Sequence, residues 1–558
     1  NRPPLPPAIR PNPPPPAPPR PPPPRPTRPR RAWAGALAAP VLLLWVHRGP
    51  DSPPGNPDSA PAGGGVLRIM AQAVDSLDPI HSRNYWESAI VLQLFDGLVR
   101  LDEHLAVAPA IARDWRISFD GTTYTFRLRR DVRFHHGRPV TARDFVYSLT
   151  RLVDPRWKAV DSEYYTRIGG AAAFRSGKSD SVSGIRAVDS HTLQISLEQP
   201  YAPFLQVLAL PSASVVPREA VESGERQFGR SPLGTGAFRL KRLGPAHEIH
   251  LESHPHHFLG RPYLDGLRIR TTAALTDRGS FREFARGRLD LSFIPADEIP
   301  RAASRTDWAI RTLPVLRLLY LGMNVKTPGT SQRLLRKAVC LAIDPGSVYG
   351  GLTDFEPTDR LIPFSLLGSR RQPVRTRNLE AAGQALKQWR HRHGPLPRLS
   401  LSTTVRLPEA RRRLERLLEG PRSIGLEIDV RGVDSMRELL DRIYGGQASM
   451  FLLGEVIDFP DPDALLSRLF HSRSNGNPFG YGNPEVDGLL RRARGTLDQT
   501  RRARLYRQIE EQILSDFVVA PLALVRYSLV HRRQVRGLKI NSLGFQHFHF
   551  RKVWLAPG

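Results

Sequence analysis

ARDWRISFDGTTYTFRLRRDVRFHHGRPVTARDFVYSLTRLVDP, residues 112–155, carries two periodicities in one short stretch. Trp115, Ile117 and Phe119 alternate with polar residues, Asp120-Gly121 offers a tight turn, and Tyr124, Phe126 and Leu128 alternate beyond it, which predicts a β-hairpin. Thr141 with Asp144 three residues later is a capping-box pattern, and Phe145, Val146, Leu149, Leu152 and Val153 follow at helical spacing. A hairpin, a connecting loop and a capped helix are therefore expected here.

Outward from this stretch, three further segments stand out in order: SPLGTGAFRL (231–240), LYLGMNVKTPGTSQRLLRKAVCLAID (319–344), and GEVIDFPDPDALL (454–466) followed by GYGNPEVDGLL (480–490). VLRIMA (66–71), HEIHLES (247–253) and LRIRTT (267–272) read as strands, and helical patterns fall at 333–343, 378–390, 408–420, 434–444 and 497–515. Strands and helices mix along the chain, which argues an α/β (mixed α+β) fold.

The hairpin, loop and capped helix closely resemble the signature region of the extracytoplasmic solute-binding proteins of peptide and nickel ABC transporters. The Gly-Thr-Gly-aromatic turn, the Asn-containing segment and the Asp-Pro loop resemble the other marks of that family, in its order. The resemblance runs from about residue 66 to the C-terminus. It implies the periplasmic-binding-protein type II architecture, two lobes with a hinge plus an additional domain. Lobe I would be discontinuous (66–97, 231–317 and 521–558), the additional domain would be 98–230, and lobe II would be 318–520.

A chain of 558 residues exceeds what a single core usually supports. The formal charge of +28 raises nucleic acid as a partner, but arginines are scattered and interspersed with acids, so no specific nucleic-acid footprint is read. Cys340 is the only cysteine, which excludes an intramolecular disulfide, and RKAVCLAI reads as a buried helix position. No G-x-S-x-G, Walker-A or H-E-x-x-H pattern is present, so no enzymatic reading has a motif behind it. His247 and His250 lie on opposite faces of a strand, and neither His254, His256 and His257 nor His547 and His549 show metal-ligand spacing.

Residues 1–31 are mostly proline and arginine and are expected to be disordered. Arg28, Arg30 and Arg31 precede the apolar run AWAGALAAPVLLLWV (32–46), which suits a signal-peptide core. Export is expected, with tethering by an uncleaved N-terminal segment left open. No cysteine follows the run, so lipid anchoring of the usual family type is not expected.

The resemblance also assigns site residues. A carboxylate at the first aspartate of the Asp-Pro loop, here Asp458, meets the ligand's α-ammonium, and Asp461 falls on a turn. Val456 supplies backbone contacts, and the segment after Asp78-Pro79 places Arg83, Asn84 and Tyr85 near the ligand. The chain departs from the pattern at three points. Glu455 stands where an aromatic is usual and adds a carboxylate that would either suit a cationic ligand or simply face solvent; His136 replaces an aspartate, and Ala237 a proline. No residue is singled out for a ligand carboxylate, and Arg371 and Arg375 are candidates by type only.

The resulting expectation is a monomeric, cofactor-free, non-enzymatic binding protein that delivers di- or oligopeptides to an ABC permease and its ATPase subunits. The same fold with a nickel chelate, an oligosaccharide or another cationic solute is the alternative. A basic regulator with a solute-sensing domain is the alternative of another class.

Overall fold

The computed structural model describes residues 61, 63–82, 84–244, 248–404 and 408–557. The tail, the apolar run 32–46, Arg83 and His247 lie outside the described residues. No described helix is long and apolar enough to cross a membrane.

Three larger sheets organise the described residues. In the first, Val66–Gln72 pairs in parallel with Gly266–Thr272, followed antiparallel by Glu248–Ser253 and Phe238–Leu243. Helix Tyr85–Leu94 packs on this sheet, and Leu67, Ile69, Ile90, Leu251 and Leu267 form its core. This is the first lobe. The second lobe holds the outer part of a seven-stranded sheet, in which Met450–Val456, Leu399–Thr403 and Ile428–Gly432 are flanked by helices Arg333–Ala342, Leu379–His393 and Pro408–Ser423. Cys340 sits buried in that core, its thiol within 3.8 Å of the Phe517 and Val519 carbonyls and pushed up to about 12 by burial.

Two long antiparallel strands, Trp308–Met323 and Val519–Arg532, run through both lobes. At one end they extend to Leu291–Phe293; at the other they pair with Met450–Val456 and Phe355–Pro357. Their register shifts between Pro314 and Leu318, where the inserted residues interrupt the ladder and bend it. Arg317 lies inside that irregularity. The arrangement is the α/β two-lobe type II fold.

The hairpin forms as predicted, Ala112–Ile117 against Thr123–Leu128, and continues into Thr192–Ser196 and Ile185–Asp189 as a four-stranded antiparallel sheet. Gly121 takes φ +72° in the turn, where a side chain would be strained. The burial is one-sided: Tyr124, Phe126 and Leu128 are buried, whereas Ala112–Ile117 is an edge strand. Phe119, expected to continue the alternation, lies past the strand end and is fully exposed. The capped helix spans Ala142–Val153, with the Asp144 carboxylate accepting from the Thr141 backbone N–H at 2.8 Å.

This helix also anchors the first lobe. Its Arg151 is buried and forms an ion pair with Asp78 at 2.7 Å while stacking over Trp157. Asp78 in turn caps the short turn Pro79–His81 that leads to Asn84 and Tyr85. The Gly-Thr-Gly turn packs backbone to backbone on the end of helix Tyr85–Leu94: a Cβ at Gly234 would lie 1.9 Å from the Leu94 carbonyl oxygen. Ala237, in place of proline, is simply buried.

Candidate functional site

A cavity of about 600 Å³ lies where the first lobe, the segment around residues 160–164 and the second-lobe loop 456–458 meet. Each wall is fixed by local structure. Asn84 is the N-cap of helix Tyr85–Leu94; its Oδ1 accepts from the Trp86 and Glu87 backbones at 3.0 Å, completed by Glu87 reaching back to the Asn84 N–H. Its side-chain oxygen is therefore committed to the cap. Tyr85 is held edge-on to Tyr527 and Phe545, and its hydroxyl accepts the Phe545 backbone N–H. Gly544 makes room, since a Cβ there would stand 2.4 Å from that hydroxyl.

Asp458 is half-buried on the cavity wall, and its carboxylate accepts one hydrogen bond from the Tyr164 hydroxyl, at 2.8 Å. Burial and the neighbouring Asp458 hold the Tyr164 hydroxyl well above its usual range, so it stays a donor. His547 donates Nε2–H to the Asp458 carbonyl at 3.2 Å; burial lowers that imidazole to about 4, leaving it neutral. Val456 projects a 41% exposed side chain into the same space. The strand Met450–Val456 pairs with Leu399–Thr403 only as far as Phe451, so sheet pairing leaves one edge at Gly454–Val456 open.

Asp161 and Glu163 also line the cavity. Asp161 accepts from the Ser212 hydroxyl at 2.7 Å, and burial together with Asp458 pushes it up to about 7. Two arginines, Arg468 and Arg317, line the same cavity. Arg468 is ion-paired with Glu455. Arg317 is exposed on its strand, with its guanidinium 3.3 Å from where a Gly454 Cβ would be, and has no ion-pair partner among the described residues.

Of the residues read from sequence, Asp458, Val456, Asn84 and Tyr85 come together around this cavity. Glu455 does not line it; its carboxylate turns to Arg468, which does. Arg371 lies over Phe364 and Arg375 donates to the Cys340 carbonyl, both away from the cavity. Asp461 caps helix Pro462–Phe470 and is clamped by Arg502. His257 faces Asp96 at 3.3 Å, and no group of three His, Cys, Asp or Glu among the described residues is placed to hold a metal. Sequence reasoning missed Asp161, Tyr164 and Arg317. DSEYY and LPVLRLLY carry no motif, and only the fold brings them to the cavity that Asp458 lines.

Two lobes threaded by shared strands, with a charged cavity between them, define a protein that captures a small ligand by enclosing it. The chain belongs to the bacterial extracellular solute-binding proteins, family 5, whose middle-region profile matches residues 106–477. It is 27% identical over 476 residues to di/tripeptide-binding protein 4 of Pseudomonas aeruginosa, covering 79% of this chain and 86% of that one. It is 26% identical over 459 residues to the probable deoxycholate-binding periplasmic protein YgiS of Escherichia coli, covering 80% and 85%. Among solved structures, DppA of Helicobacter pylori in complex with the peptide STSA superposes with a TM-score of 0.73 at 23% identity, covering 89% of this chain and 99% of that one.

Proposed function

We propose that this chain is the extracytoplasmic binding component of an ABC transporter, taking a short peptide between its lobes and passing it to a membrane permease. The observation that carries the reading is Asp458, a half-buried carboxylate with a single hydroxyl donor facing a cavity of about 600 Å³. A peptide ammonium loses water when the lobes close, and a desolvated charge is tolerable only where an opposite charge receives it. The open edge at Gly454–Val456 suits strand-like pairing with a peptide backbone, which leaves side-chain identity free. Arg317, unpaired on the same wall, is the candidate for the ligand carboxylate. The chain acts as a monomer and needs no cofactor in this reading. Peptide ligands in the names of relatives support it.

Deoxycholate, in the name of another relative, fits this cavity less well. Asp161, Glu163 and Asp458 face one unpaired base, Arg317, because Arg468 already carries Glu455. An anionic steroid would meet more repulsion than attraction.

The test is calorimetry with matched tripeptides bearing free and acetylated N-termini. The wild type is expected to bind the free form and to bind the acetylated form poorly, and Asp458→Asn to lose affinity for the free form and discriminate less. Equal binding of both peptides by both proteins would reduce Asp458 to a turn residue.

A further inference from the structure

Asp161 stands at the N-cap position of the short helix Ser162–Tyr165, yet its side chain makes no capping bond there. Its Oδ2 instead accepts from Ser212, a buried serine held beside the Tyr165 hydroxyl at 3.2 Å. It has no ion-pair partner among the described residues. Asp458 lies close enough to raise its pKa, and Tyr164 feels both carboxylates while bonding to Asp458. Two carboxylates from segments roughly 300 positions apart in sequence thus face one cavity, each with a single hydroxyl donor; among the described residues no base is ion-paired with either, although Arg468, held by Glu455, also feels Asp458.

Like charges brought together out of water are unfavourable unless a cation joins them or one takes up a proton. Glu163 adds a third acid on the same rim. In a chain with a formal charge of +28, the cavity lining carries three acids, Asp161, Glu163 and Asp458, against two arginines, Arg317 and Arg468, the latter already ion-paired with Glu455. One α-ammonium satisfies Asp458 and leaves Asp161 with none.

We propose that Asp161 and Asp458 form a two-carboxylate site for ligands carrying a second cation beside the α-ammonium, namely peptides with lysine or arginine at one of their first two positions. This rests on the cavity being the ligand site. Asp161 is then a specificity-determining residue: it receives the basic side chain while Asp458 receives the terminus.

The test uses the full chain and four ligands: Lys-Ala-Ala, Ala-Lys-Ala, norleucine-Ala-Ala as the neutral isostere, and 1,5-diaminopentane. The wild type is expected to prefer the better lysine peptide over the norleucine peptide by about tenfold, one charge pair's worth at partial burial. Asp161→Asn is expected to shrink that ratio to within about threefold of unity. A wild type without the preference, or a preference that survives Asp161→Asn, overturns the proposal while the peptide reading stands. If no peptide binds but the diamine binds the wild type and loses affinity with Asp161→Asn, the two-carboxylate site stands and the peptide reading falls. Binding of neither class overturns the proposal.

Discussion

Asp458 and Asp461 lie three residues apart in the loop Asp-Phe-Pro-Asp, and their surroundings are opposite. Asp461 is buried; Arg502 donates to both of its oxygens at 2.6 and 2.8 Å, Tyr506 adds a third bond at 3.1 Å, and its carboxylate caps the following helix. Its neighbour Asp463 is likewise enclosed by Arg494 and Tyr201 at 2.8 and 2.9 Å. Asp458 has one tyrosine donor and an open cavity. The difference separates two uses of the same side chain. A carboxylate whose lone pairs are filled by the protein fixes a helix terminus, and one left short of donors beside a cavity is available to a ligand.

The comparison is broken most forcefully at Arg502. Burial opposes its charge, and Asp461 more than compensates, holding the guanidinium above its usual range. Arg502→Met leaves Asp461 buried without its partner and is expected to cost about 3–5 kcal/mol of stability, measured by urea denaturation. Asp458→Asn should instead leave the ligand-free unfolding midpoint nearly unchanged and lower the affinity for free-terminus peptides by about 2–5 kcal/mol. If the two variants behave alike in denaturation, the distinction between a structural and a ligand-facing aspartate fails.

A smaller effect follows from protonation. Asp161 is faced by Asp458 from the second-lobe loop and by Ser212 from the turn Pro211–Ala213, with Glu163, Tyr164 and Tyr165 on its own segment; Arg317, Arg468 and neutral His547 share the cavity. With its pKa near 7, against about 3.9 when unfolded, folded Asp161 keeps a proton between those values that the unfolded chain has lost. Its contribution to ligand-free stability therefore declines as pH rises from about 4 to 7, by no more than about 1 kcal/mol per unit for a half-buried group. Comparing denaturation of the wild type and Asp161→Asn across that range isolates this slope from the histidines. A dicationic ligand favours the ionised carboxylate, so calorimetry at pH 6 in buffers of different ionisation enthalpy should show proton release that Asp161→Asn abolishes.

The smallest expected effect is at Arg317, which is exposed. Arg317→Ala should weaken peptides with a free C-terminus by about 0.2–1 kcal/mol and leave their amides unaffected, as for a solvent-screened pair. Equal loss for both forms would assign Arg317 to the wall rather than to the ligand.

Much of the fold was legible because its signals are local. The hairpin turn at Asp120-Gly121, the capping box at Thr141 and Asp144, and the apolar spacing of helix Ala142–Val153 each lie within a few residues of one another. Phe119 marks the limit of that reading: alternation says where a side chain points, not whether anything covers it, and here nothing does. The site was legible in part, since Asp458 and Val456 sit in a short segment with a recognisable pattern. Glu455 shows what pattern alone leaves out, because its carboxylate is ion-paired with Arg468 from the following helix rather than lining the cavity beside Asp458.

By itself the sequence determined local elements such as the hairpin at 112–128 and the capped helix Ala142–Val153, since turn chemistry, capping and hydrophobic period act over a few bonds, while Asp458 was singled out by a family pattern. Only the tertiary structure decided that Tyr164 reaches Asp458 across 294 positions, that Asp161 lines the same cavity without an ion-pair partner among the described residues, and that Arg317 lines it from a strand shared by the lobes. The physical reason is range: electrostatic complementarity is a property of distance in space, and chain separation does not encode it until the sheets and their connecting strands have closed around the cavity.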